Sequence, residues 1–62
     1  MYMIHCTLIE MWVRKYLRKE NAYLCTLSKR EAKRYSSKQA ALDAISRIPK
    51  AWREHMEVVH ER

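Results

Sequence analysis

The chain of 62 residues contains no glycine. Phosphate-cradling loops of the Walker and dinucleotide types need backbone positions that only glycine tolerates, so nucleotide-dependent enzymes built on them are excluded. A two-residue hairpin of the Asn-Gly kind is excluded for the same reason. Phenylalanine is also absent, and proline occurs once, at Pro49. The two cysteines, Cys6 and Cys25, are too few for a disulfide framework, and both are expected to be reduced. No run approaches the roughly 20 apolar residues that cross a bilayer, and the start lacks the charged-then-apolar plan of a secretory signal. These features lead us to expect a cytoplasmic protein without a membrane partner.

What is present reads as globular. Hydrophobic residues make up 48%, with two tryptophans and four tyrosines, and no low-complexity run interrupts them. The length allows a single small domain over residues 1–62, with a core near the lower limit of independent stability. A second chain supplying burial is therefore an ordinary expectation. Thirteen Lys and Arg against seven Asp and Glu give a formal charge of +6, which favours association with polyanions.

The clearest local signal runs from Tyr35 to Pro49. Ser36 with Gln39 three residues on fits a capping box, in which the hydroxyl satisfies a free backbone N–H and the amide reaches back to the cap. Ala41, Ile45 and Ile48 fall at i, i+4 and i+7, with Ala44 beside them, so one side of the helix is apolar. Pro49 ends it. Before it, Tyr2 to Leu17 is rich in β-branched, aromatic and aliphatic residues and predicts one long or bent strand. A helix is the rival, with Ile4, Leu8 and Met11 at helical spacing. The absence of an N-cap and the presence of Thr7, Ile9, Trp12 and Val13 favour the strand. Arg18 to Asn21 reads as a turn in which Asn21 is best able to take a left-handed backbone, and Ala22 to Leu27 returns as a second strand. At the other end, Met56 to His60 predicts a final strand, with a helix starting at Pro49 as rival.

Together these elements predict an α+β fold of β-β-α-β order: a three-stranded antiparallel sheet ordered 2-1-3 with one helix on one face. A turn centred between Lys19 and Glu20 sets Tyr16 opposite Tyr23, Arg14 opposite Cys25 and Trp12 opposite Leu27. One face then collects Met11, Val13, Leu17, Ala22 and Leu24 for the helix. The other collects Trp12, Arg14, Tyr16, Tyr23, Cys25 and Leu27, an aromatic and basic surface.

The segment Ala32-Lys33-Arg34-Tyr35-Ser36-Ser37-Lys38-Gln39-Ala40-Ala41, after a strand pair and before a Val58-Val59 strand, resembles that of small uncharacterised proteins of phage and prophage genomes. The resemblance spans roughly Met11 to Val59 and departs at the N-terminal piece from Tyr2 to Glu10 and in the missing glycines. It implies a host-takeover or regulatory accessory protein that acts by binding, with no catalytic residues to carry over.

The residues themselves point away from catalysis. A chain this small rarely encloses a pocket of convergent titratable groups, and neither cysteine has a base nearby in sequence, so no enzyme is expected. His5, His55, His60 and Cys6 are ligand types for zinc. Their spacing matches no zinc module, and adjacent His5 and Cys6 point to opposite faces of a strand, so no metal or other cofactor is expected. The candidate binding residues are Trp12, Arg14, Tyr16 and Tyr23 on the open face, with Lys29, Arg30, Lys33 and Arg34 in the basic connection. The leading expectation is a partner protein or a second copy bound on that face. The alternative is nucleic acid, held by bases stacked on aromatic rings and by phosphates on two basic clusters, Lys15, Arg18 and Lys19 and Lys29, Arg30, Lys33 and Arg34. Trp52 and Arg53 are a further candidate protein-binding anchor, against packing of Trp52 over the sheet edge.

Overall fold

A computed structural model of the protein describes residues 1–17, 19–20 and 22–61. Four strands, β1 (Tyr2–Cys6), β2 (Met11–Leu17), β3 (Ala22–Thr26) and β4 (Met56–His60), form one antiparallel sheet in the order β3-β2-β1-β4. The main helix α1 (Lys38–Ser46) packs on β1 and β4. A 3-10 turn at Lys29–Glu31 precedes it, and a one-turn helix α2 (Lys50–Arg53) follows.

The three-stranded 2-1-3 sheet expected from the sequence is corrected here. What reads locally as one strand from Tyr2 to Leu17 is two strands joined by a turn at residues 7–10. No glycine, proline or asparagine marks that turn; Glu10 instead takes a positive φ of 51°. The left-handed region is unfavourable for a residue with a Cβ, so tertiary bonds must hold it. Two of them come from Thr7, whose backbone N and Oγ1 both donate to the His55 carbonyl, at 2.8 and 3.0 Å. Once the chain folds back, β1 lies in the middle of the sheet and pairs with β4 over its whole length, from Tyr2–His60 to Cys6–Met56.

On its other side β1 pairs with β2 only at His5–Trp12 and Cys6–Met11. Beyond those pairs the two strands part, and the connection before α1 enters the gap. Lys33 N donates to the Val13 carbonyl at 3.0 Å, while Tyr2 and Tyr35 bond each other. The basic connection is thus part of the sheet.

The core consists of Ile4, Val13, Ala41, Ile45 and Ile48, with Tyr2, Tyr23, Tyr35, Ala44, Met56 and Val58 packed around it. A nine-residue helix is marginal alone. Each well-buried aliphatic side chain contributes about 1.5–3 kcal/mol, so the Ile45 and Ile48 contacts suffice to hold α1 in place. Its cap is one residue later than the sequence suggests: Ala40 N donates to Ser37 Oγ at 3.1 Å, and Gln39 turns outward to donate to Asp43 Oδ1 at 3.0 Å. After Pro49 both sequence readings are realised in turn, a single helical turn and then β4. Asn21, expected to take a left-handed backbone, lies outside the described residues, as do Arg18 and Arg62.

Candidate functional site

The arrangement of side chains on the sheet follows from one irregularity. Between β2 and β3 the pairs run Trp12–Thr26, Val13–Cys25, Lys15–Leu24, Tyr16–Tyr23 and Leu17–Ala22, which leaves Arg14 as an extra residue in a bulge. A bulge shifts the alternation of every residue beyond it. The Tyr16–Tyr23 pairing inferred from the turn is present, but Arg14–Cys25 and Trp12–Leu27 are replaced. Tyr16 and Tyr23 therefore fall on the same side as Val13, facing the helix. Their ring centroids are 4.8 Å apart, and Tyr23 Oη donates to the Ala44 carbonyl of α1 at 3.2 Å.

Trp12 is on the opposite side, so Trp12, Arg14, Tyr16 and Tyr23 do not share one surface. Around Trp12 the charges are largely answered. Its ring lies 4.6 Å from His5 and is covered by Lys29 Nζ at 5.7 Å. His5 Nδ1 is 3.3 Å from Glu57 Oε1, and Glu31 Oε2 accepts from Thr26 Oγ1 at 3.1 Å and lies 3.9 Å from Arg14 Nη1. Arg34 donates to both oxygens of Glu61, at 3.2 and 2.6 Å, and to the carbonyls of Arg30 and Ala32. That bidentate bond holds the Glu61 carboxyl below its usual range and the Arg34 guanidinium above its own. Arg30 is exposed in the 3-10 turn. This surface is mixed in charge.

The helix side is different. A cleft of about 420 Å³ is lined by Lys15, Tyr16, Tyr23, Lys33, Tyr35, Ala44 and Arg47. Five pieces of chain meet there: β2 beyond its bulge, β3, the connection inserted beside β1, the last turn of α1, and its C-cap Arg47. Lys33, Arg47 and three phenol rings face one space, Lys15, which leaves β2 on the opposite face, touches it only at the rim, and among the described residues no carboxylate lines it. Lys33 Nζ lies 5.6 Å from the centre of the Tyr35 ring. Burial pushes the Tyr23 and Tyr35 hydroxyls up, each with a smaller contribution from a neighbouring tyrosine, and Arg47 partly offsets it. Both phenols are thus neutral at physiological pH.

Of the sequence candidates, Tyr16, Tyr23 and Lys33 meet in this cleft, while Trp12, Arg14, Lys29 and Arg34 lie elsewhere. Lys15, one of the phosphate-contacting cations of the nucleic-acid alternative, touches only the rim of the cleft, and Tyr35 and Arg47 were missed. Tyr35 and Arg47 read locally as a residue at the helix start and a solvated helix position, and no spacing rule links either to Tyr16.

A second, apolar cleft of about 290 Å³ lies where α1 leaves the β2–β3 hairpin uncovered; Ile9, Cys25, Pro49, Trp52 and Met56 are among its walls. Trp52 is 44% exposed at its rim, and Arg53 is turned away, donating from Nε and Nη2 to the Ile48 carbonyl. Burial, with the nearby Cys6 as a lesser cause, pushes the Cys25 thiol up, which disfavours the nucleophilic thiolate.

The histidines are dispersed. His5 faces Glu57, His55 Nε2 is 3.5 Å from Glu54 Oε1, and His60 stacks on Tyr2 with centroids 4.7 Å apart. Among the described residues no group of three or more His, Cys, Asp and Glu is placed to hold a metal ion, and no helix is long and apolar enough to cross a membrane.

Comparison of the chain with protein-family models, with curated proteins and with solved structures gave no match.

Proposed function

We propose that this chain is a binding module for single-stranded nucleic acid, with Tyr16, Tyr23, Lys33, Tyr35 and Arg47 as the contact residues. The observation that carries this reading is the cleft in which Lys33 and Arg47 converge with three tyrosines and no carboxylate is among the described lining residues. Unpaired bases stack on aromatic rings whatever their sequence, and Lys and Arg along the groove neutralise the phosphates. The overall charge of +6 adds long-range attraction for the same ligand. A regulatory accessory role in the cytoplasm goes with this function.

The test is fluorescence anisotropy of labelled oligo-dT and oligo-rU at increasing salt. Two phosphate contacts on a single strand give a slope of log K against log salt of about −1.4. Replacing Arg47 by Gln lowers the slope and the affinity, whereas Lys29→Gln, on the other side of the sheet, leaves the cleft contacts intact. Absence of binding at low salt sinks the reading.

A second reading, binding of a protein, is favoured by the apolar cleft with Trp52 half exposed at its rim. Tryptophan is enriched among residues that anchor protein interfaces.

A further inference from the structure

The two edges of the sheet are unlike. β4 carries Glu57 and His60, as edge strands of natural proteins commonly carry charged or polar groups that discourage pairing with another chain. β3 is Ala22-Tyr23-Leu24-Cys25-Thr26, without a charge or a proline, and the bulge lies in β2, so β3 itself is not the kinked strand. Leu24 is 41% exposed at its centre and Leu27 is 78% exposed just beyond its end. α1 packs chiefly on β1 and β4 and reaches β3 through the Tyr23 hydroxyl, which donates to the Ala44 carbonyl. An uncharged edge strand with an exposed leucine at its centre is a template for another strand.

We propose that β3 pairs antiparallel with β3 of a second copy, about a two-fold axis through Leu24, to give one continuous sheet of eight strands. The occupant follows from the sequence of the strand. With the axis at Leu24, Tyr23 lies opposite Cys25 of the partner subunit and Ala22 opposite Thr26 of the partner subunit, while the two Leu24 side chains meet on the other face. Every cross-strand pair is therefore apolar or neutral, and the contact is the isologous kind on which two-fold dimers are built. Two chains of charge +6 repel, and a β3–β3 pair sets no charged residue within the paired strands at all. The pairing also sets the two apolar clefts, each with Cys25 in its wall, on the same side of the joined sheet. This dimer does not rest on the nucleic-acid reading, and the two are tested by different measurements.

Light scattering or sedimentation equilibrium on the full chain is expected to give twice the 7.6 kDa mass. Leu24→Lys places two ammonium groups face to face at the axis and is expected to weaken the dimer by about a hundredfold or more, with an unchanged far-ultraviolet spectrum. Leu42→Lys, an equally exposed apolar position on α1, is expected to leave the dimer intact. In a chain carrying Cys25→Ser, with Cys6 fully buried, Leu24→Cys is expected to form a covalent dimer on mild oxidation. A monomeric mass at high concentration overturns the proposal. So does a dimer indifferent to Leu24→Lys, one lost equally with Leu42→Lys, or a dimer that Leu24→Cys fails to cross-link.

Discussion

Tyr2 and Tyr35 exchange both of their backbone hydrogen bonds: Tyr2 N donates to the Tyr35 carbonyl at 2.9 Å, and Tyr35 N donates to the Tyr2 carbonyl at 2.7 Å. This one pair ties the connection before α1 to the first strand of the chain. It also carries the Tyr35 ring and, through Lys33, a cation into the cleft beside Tyr16 and Tyr23. The same few residues thus serve the sheet through their backbone and the cleft through their side chains.

Those two roles separate experimentally at Lys33. Lys33→Pro deletes the N–H that donates to the Val13 carbonyl and is expected to cost about 1–3 kcal/mol in urea unfolding. Lys33→Gln keeps the donor and removes only the charge. It is expected to leave the urea midpoint unchanged while weakening oligonucleotide binding.

Glu10 holds a left-handed backbone without being glycine. Glu10→Gly relieves the Cβ clash, which outweighs the greater freedom glycine has in the unfolded chain, so a net gain of roughly 0.5–1 kcal/mol is expected. The measurement is the thermal midpoint. A lower midpoint for Glu10→Gly would show that the side chain itself contributes to the turn.

Two adjacent serines compete for the start of α1, and only Ser37 accepts the Ala40 N–H. Ser37→Ala is expected to destabilise the protein by about 1 kcal/mol, the usual cost of losing an N-cap. Ser36→Ala should cost a small fraction of that, and equal losses would contradict the observed cap.

The Arg34–Glu61 pair makes stability depend on acid. Hydrogen bonding to Arg34 depresses the Glu61 carboxyl in the folded state. A depressed carboxyl contributes stability that is present above its ordinary value and is lost as pH falls through the folded one. The loss is therefore expected in the acid range below ordinary carboxylate titration, and Glu61→Gln should remove it from the pH dependence of the urea midpoint. The raised guanidinium of Arg34 contributes nothing in that window, because it stays charged throughout.

Short-range chemistry was legible before any coordinates. Ala41, Ile45 and Ile48 with the stop at Pro49 marked the helix that covers the sheet, the polar residues after Leu17 marked a hairpin that pairs Tyr16 with Tyr23, and Val58-Val59 marked the last strand. Each of these depends on neighbours within a few positions, where propensity, capping and periodicity act. The surplus of positive charge was legible too, though not where it would gather.

Three features were decided only in the tertiary structure. The turn at residues 7–10 has no breaker and is held by the His55 carbonyl, 48 residues from Thr7. The bulge at Arg14 carries Tyr16 and Tyr23 from the expected open face to the helix side. The insertion of Lys33 and Tyr35 beside β1 completes the cleft that Arg47 closes at the end of α1. The turn and the insertion rest on backbone hydrogen bonds between segments far apart in the chain, the bulge on the pairing of β2 with β3, and such bonds leave no trace in local propensity because every residue offers the same N–H and C=O. The sequence by itself determined the helix, the Tyr16–Tyr23 hairpin and the last strand; the folding back of Tyr2–Leu17, the register and the splaying of β1 from β2, set by tertiary backbone pairing, determined which side chains meet.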